Sequence, residues 1–128
     1  MTIIKAYNNI RLYAPYAFWS MVALVTILLL MEHAGTVPIF PYLDKIIHAC
    51  LFTALSLIGY LAYANYKRLL CIGLATYGAV TELMQGMFTE TRFASVYDWL
   101  ADLAGILIAL LLISVVINKL NLKSSDDN

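Results

Sequence analysis

Between residues 77 and 105 the chain reads YGAVTELMQGMFTETRFASVYDWLADLAG. Glu82, Gln85, Glu90, Arg92, Asp98 and Asp102 stand in this stretch, and the upstream run DKIIHACLF adds Asp44, Lys45 and His48. One imidazole, several carboxylates and a guanidinium are the groups that shuttle protons, hold divalent cations, or clamp a charged headgroup. Both stretches enter long apolar runs, where an ionisable side chain costs roughly 2.5–3.5 kcal/mol on insertion scales. Carboxylates kept in such a setting call for a functional explanation.

Hydrophobic residues make up 62% of the 128 positions and charged ones 12%, against about half and a quarter in a typical soluble domain. This composition is that of a membrane protein. Net charge is zero and no basic cluster is present, so nucleic acid is excluded as a partner. No glycine-rich phosphate loop, CxxC pair, HExxH motif or internal repeat is found. The length suits one membrane domain, residues 1–128, built from a few spanning helices.

A spanning helix needs about 20 mostly apolar residues. Four stretches qualify: residues 13–31, 46–64, 69–88 and 97–117. The expected fold is therefore an all-α membrane protein with four transmembrane helices. The first two spans are separated by EHAGTVPIFP and its Gly and Pro breakers, the next two by the polar NYKR. The tail NKLNLKSSDDN is expected to fray. Lys5, Arg11, Lys67, Arg68, Lys119 and Lys123 flank one side of these spans, and only Lys45 and Arg92 the other. The positive-inside rule then puts both termini in the cytoplasm. Tyr13, Tyr16, Trp19, Tyr63, Tyr66, Tyr97 and Trp99 sit near span ends, as interface aromatics do. The first span is too long for a signal-peptide core of 7–15 residues and lacks a clean cleavage site, so it reads as retained.

The polar residues meet at one depth. Alternating span directions at 1.5 Å per residue bring Asp44, His48, Glu82, Gln85, Asp98 and Asp102 within about 10 Å of the outer boundary. Asp98 and Asp102 are four apart and Glu82 and Gln85 three apart, so each pair shares a helix face. Asp98, Asp102, Gly105 and Ala109 form one stripe, and Gly78 lies a turn from Glu82. Small residues mark close helix contacts in membranes, so the polar faces should point into the bundle. Cys50 and Cys71 fall at different depths, too far apart for a disulfide, and read as small packing residues.

Charge balance sharpens this. Glu32, Asp44, Glu82, Glu90, Asp98 and Asp102 fall on the outer side with only Lys45 and Arg92 as permanent cations. Six acids less two cations leave four negative charges before His33 and His48 are considered. Buried charges must be paired, protonated or metal-bound. His48, Glu82, Asp98 and Asp102 are the candidate ligands for a divalent cation, although one His without a thiolate or second His does not specify zinc. Lys45 reads as an interfacial cation, Arg92 as a clamp for a phosphate or a bridge to Glu82 or Asp98. Glu32, His33 and Glu90 read as solvated loop residues, Met84 and Met87 as core or lipid contacts.

The order DKIIHACLF, YGAVTELMQGMF, Arg92 and DWLADLAG resembles the VanZ-like family of small bacterial membrane proteins over about residues 44–110. That family opens one helix with Asp-Lys-x-x-His and carries Glu-x-x-Gln on the next. An Arg follows in the loop, and the last helix opens with Asp-x-x-x-Asn-x-x-Gly. Asp44, Lys45, His48, Glu82, Gln85, Arg92, Asp98 and Gly105 match it. Asp102 departs, standing where the family usually has Asn, and TET replaces the Pro-Gly common before the Arg. The resemblance implies a multi-pass protein of the bacterial inner (cytoplasmic) membrane with a cell-envelope role. Through the member that names the family, it also implies a link to resistance against glycopeptide antibiotics. It implies no defined reaction.

Three classes of function fit these residues. The first is a binding protein for a lipid headgroup or a glycopeptide at the outer face, through Asp44, His48, Glu82, Gln85, Arg92, Asp98 and Asp102. The second is a metal-assisted hydrolase or transferase acting on an envelope lipid. The third is an ion or proton-coupled transporter, for which four helices are few and a homo-oligomer would supply the missing wall. The first is favoured over catalysis, because no Ser or Cys stands beside His48 as a nucleophile.

Overall fold

The computed structural model describes residues 2–31, 42–90 and 92–126, with side chains described within 9–31, 42–90 and 92–119. Among them all regular structure is helical: α1 (Thr2–Leu30), α2 (Leu43–Tyr63), α3 (Lys67–Phe88) and α4 (Val96–Asp126). A single 3-10 turn, Ala64–Tyr66, joins α2 to α3. Glu32 and His33 lie outside the described residues. The tail departs from expectation, since α4 continues to Asp126. Residues 118–126 contain no Gly or Pro to stop it.

Three helical stretches are long and apolar enough to cross a membrane, rather than four: Asn9–Leu30, Leu43–Phe88 and Val96–Lys119. The middle one runs through α2, the turn and α3. It is not straight. His48 and Glu82 approach to 3.7 Å, whereas 34 residues of straight helix would hold them about 51 Å apart. Tyr63 (φ −132°, ψ 40°) and Tyr66 (φ −117°, ψ 30°) leave the helical region on either side of the turn, and the chain folds back there.

The interior is small and half polar. Phe18, Val25, Leu29, Phe52, Leu55, Leu74 and Ile106 form one buried cluster. His48, Ser56, Thr81, Glu82, Gln85, Asp98 and Asp102 are buried as well. Leu83, Met87, Leu107, Leu111 and Val116 face outward. Apolar outside and polar within is the arrangement that lipid favours, and contiguous exposed apolar surface marks a membrane contact. Cys50 is exposed rather than packed inside, whereas Cys71 is half-buried against the apolar cluster; both are free.

The α2–α4 contact is the most extensive in the bundle, and glycine makes it possible. A Cβ on Gly105 would run into the Ala49 carbonyl oxygen and lie 3.0 Å from the Thr53 nitrogen. Thr53 Oγ1 donates to the Ala49 and Gly105 carbonyls, at 2.7 and 3.1 Å. A Cβ on Gly78 would lie 2.7 Å from Asp102 Oδ2. Small residues let the backbones close in, and this closeness carries Asp102 against His48.

Candidate functional site

Two helix ends are finished by side chains from elsewhere in the bundle. At the start of α4, Ser95 caps the helix: Asp98 N–H donates to Ser95 O at 3.1 Å and to its Oγ at 3.2 Å. In a capping box the acid three residues on would return a bond to the cap's own N–H. Here Asp98 is engaged elsewhere, and Glu82 of α3 takes that place, its Oε2 accepting Ser95 N–H at 2.8 Å. At the other end of α1, the Leu29 carbonyl accepts Gln85 Nε2 at 2.7 Å and Arg92 Nη1 at 3.2 Å. A guanidinium also suits the negative end of a helix dipole.

The polar residues then fall into two layers. The upper layer holds the permanent cations. Lys45 Nζ lies 2.9 Å from Asp98 Oδ1, and Arg92 Nη2 pairs with Asp44 Oδ1 at 2.5 Å. Lys45 and Asp44 remain partly exposed, with 38% and 47% of their side chains accessible, which places this layer at the rim. Lys45 is thus the partner of Asp98 rather than a free interfacial cation. Arg92 bridges α2 and α1 through Asp44 and the Leu29 carbonyl rather than through Glu82 or Asp98.

Beneath it lie His48, Glu82 and Asp102, all buried. His48 Nδ1 and Asp102 Oδ1 are 2.8 Å apart, and Glu82 Oε1 is 3.7 Å from the same nitrogen, beyond a hydrogen bond. His48 Nε2, Glu82 Oε1 and Asp102 Oδ2 have no hydrogen-bond partner. Two carboxylates thus surround one imidazole, and when both are ionised even a protonated imidazole leaves one negative charge. Donor atoms of His48, Glu82 and Asp102 lie within 4.8 Å of one another, as do those of Asp44, His48 and Asp98. The second set is the poorer metal cradle, since both its acids already hold a cation.

The chain matches no family model, no curated protein and no solved structure.

The seven site residues expected from sequence therefore have three different settings. His48, Glu82 and Asp102 form the buried centre; Asp44, Asp98 and Arg92 form the rim with Lys45; Gln85 stands apart and caps α1. Ser95 escaped the sequence reading, although Ser-x-x-Asp before an apolar run is a recognisable helix start. Trp99, read as an interface aromatic, donates its indole N–H to the Ala75 carbonyl at 3.0 Å and ties α4 to α3. Ser56 has an unpartnered hydroxyl but lies eight residues from His48, about 12 Å along α2, too far to be a nucleophile activated by it. The centre can accept hydrogen bonds, hold a cation or exchange a proton.

Proposed function

We propose that the protein is a four-span, VanZ-like protein of the bacterial inner membrane that binds the polar headgroup of an envelope lipid in the His48–Glu82–Asp102 centre. The reading of four crossings rests on the fold-back at residues 64–66, which divides the middle apolar stretch into two antiparallel helices of spanning length. Both termini then face the cytoplasm by the distribution of Lys and Arg. The family assignment and the link to glycopeptide resistance rest on the ordered polar residues, which share one end of the bundle.

The observation that carries the binding reading is the pair of unpartnered carboxylate oxygens, Glu82 Oε1 and Asp102 Oδ2, in a buried centre of negative charge. Acceptors left without donors inside a protein are costly, by about 1–3 kcal/mol and more when charged. A ligand that brings donors or positive charge offsets that cost. The group recognised is accordingly an ammonium or another cation, since Lys45 and Arg92 are already engaged by Asp98 and Asp44. Binding of phosphatidylethanolamine and phosphatidylglycerol to the detergent-solubilised protein, with the Glu82→Gln variant beside it, tests the reading. We expect the ethanolamine headgroup to be preferred and the preference to vanish in the variant. Equal binding of both lipids by both proteins would remove its support.

The second reading, metal-assisted chemistry on an envelope lipid, is favoured by the mutual approach of three buried donor atoms.

A further inference from the structure

We infer that His48, Glu82 and Asp102 form a binding site for one divalent first-row transition metal. The inference rests on the reading above, that this centre is where the protein takes up positive charge, and names the cation.

Geometry comes first. Around a tetrahedral ion with bonds of about 2.0–2.2 Å, neighbouring ligand atoms lie about 3.3–3.6 Å apart. Glu82 Oε1 already stands 3.7 Å from His48 Nδ1. Asp102 Oδ1, now 2.8 Å from that nitrogen, has only to open by about half an ångström toward the same spacing. Each ligand comes from a different helix of the fold, His48 from α2, Glu82 from α3 and Asp102 from α4. Their supports are fixed independently of the ion. Glu82 holds the Ser95 N–H through its other oxygen, and Gly78 and Gly105 set the depth at which α4 packs.

Charge gives the valence. Two buried carboxylates and a neutral imidazole carry a charge of −2, which a divalent ion cancels and a single proton does not. The unpartnered Glu82 Oε1, on a residue only 5% exposed, is independent of the proximity of the acids and points to a ligand. Donor type gives the class. Imidazole with carboxylates suits zinc, manganese or iron, whereas magnesium and calcium prefer sites made of oxygen alone. Three protein ligands also leave an open coordination position, where a water could bind.

The test uses the full-length protein in detergent, stripped with EDTA and titrated with zinc, manganese or magnesium chloride. We expect one zinc or manganese per chain by elemental analysis, and a melting temperature raised by at least about 5 °C near one hundred times the dissociation constant. Glu82→Gln and Asp102→Asn keep side-chain shape and should stay helical while losing more than about a hundredfold in zinc affinity, beyond what loss of an outer-shell partner costs. Cobalt titrated into wild type gives a reading that needs no variant: intense visible absorption supports a four- or five-coordinate protein site, and the spectrum of the aqueous ion overturns it. Absence of bound zinc and manganese overturns the inference, as does wild-type affinity in Glu82→Gln, or magnesium bound as tightly as zinc. Lipid binding repeated in EDTA separates the two readings. Ethanolamine preference that persists without any metal response leaves the headgroup reading standing and removes the metal.

Discussion

The two ends of this bundle solve opposite problems. At the end that holds His48 and Asp102, helices α2, α3 and α4 close tightly over charge, and the rim cations Lys45 and Arg92 each engage one acid. At the end near the α2–α3 turn, α1 and α3 diverge around a groove of about 660 Å³, whose lining includes Phe18, Trp19, Tyr63, Gly73 and Tyr77. Its polar atoms are few, and the Trp19 indole N–H donates to Tyr63 OH at 2.9 Å in an exposed contact. Two glycines of α3 express the difference. A Cβ on Gly78 would collide with Asp102, whereas one on Gly73 would meet nothing within 4 Å. Approach of backbone to backbone marks the polar end, at Gly86 and Gly105, whereas Gly59 at the other end meets only the side chains of Leu70 and Phe18; ionic groups in lipid must be shielded on every side, while apolar ones need no such cover.

If so, the polar end should dominate stability, and His48→Ala should have the largest effect. The substitution leaves the Asp102 carboxylate buried without its imidazole partner and Glu82 with the Ser95 N–H alone, a loss of about 3–5 kcal/mol for a broken buried pair. Denaturation in mixed micelles measures it. A loss below about 1 kcal/mol would mean that the centre is already neutral without His48, and the contrast between the two ends would collapse. Gly105→Ala comes next, at about 1–3 kcal/mol for overpacking. Its new methyl group meets the backbone of α2 at Ala49 and Thr53, which no side-chain rotation can relieve. The same change should loosen the His48–Asp102 contact and weaken any ligand held there.

How much of this was legible in the sequence depends on whether a property runs along the helix or around it. Helix positions follow from length alone, and His48, Glu82 and Asp102 do meet, although three stretches rather than the expected four are long and apolar enough to cross a membrane. Rotation about the axis was harder. Glu82 and Gln85 were expected to share a face, but three residues at about 100° each leave them about 60° apart. That is enough to turn Glu82 toward Ser95 and His48 while Gln85 reaches the Leu29 carbonyl on α1. Asp98 and Asp102, four apart, differ by only about 40°, and yet they take partners in different layers because they differ by about 6 Å in height. Arg92 and Lys45 were visible as the available cations, but their partners depend on side-chain reach across a loop and a helix gap. No spacing rule encodes that.

The cap on α1 gives a smaller effect. Gln85→Leu keeps the bulk of the side chain but removes the 2.7 Å bond to Leu29 O, leaving Arg92 Nη1 at 3.2 Å as the remaining donor. A loss of about 1 kcal/mol is expected for one buried hydrogen bond whose acceptor keeps a second partner. Arg92→Ala in the same background should then cost more than it does in wild type, because the carbonyl loses its last side-chain donor. Strict additivity of the two changes would show that the two donors do not share the load at Leu29.

The smallest effect should have the opposite sign. Gly73 lies inside α3 with open space where its side chain would be, so Gly73→Ala adds a methyl group without displacing a neighbour. Glycine in a helix interior costs about 1 kcal/mol relative to alanine through backbone freedom in the unfolded chain. Gly73→Ala should therefore raise stability by up to that amount. Gly73→Phe extends the comparison, because its ring would enter the groove beside Tyr77 and Trp19. If the groove is only a lipid-filled gap, the ring should be accommodated with the His48 centre unchanged in its response to ligand. Should Gly73→Phe alter binding at His48, the two ends would be coupled through α3, and the division between a closed polar end and an open apolar one would describe packing but not function.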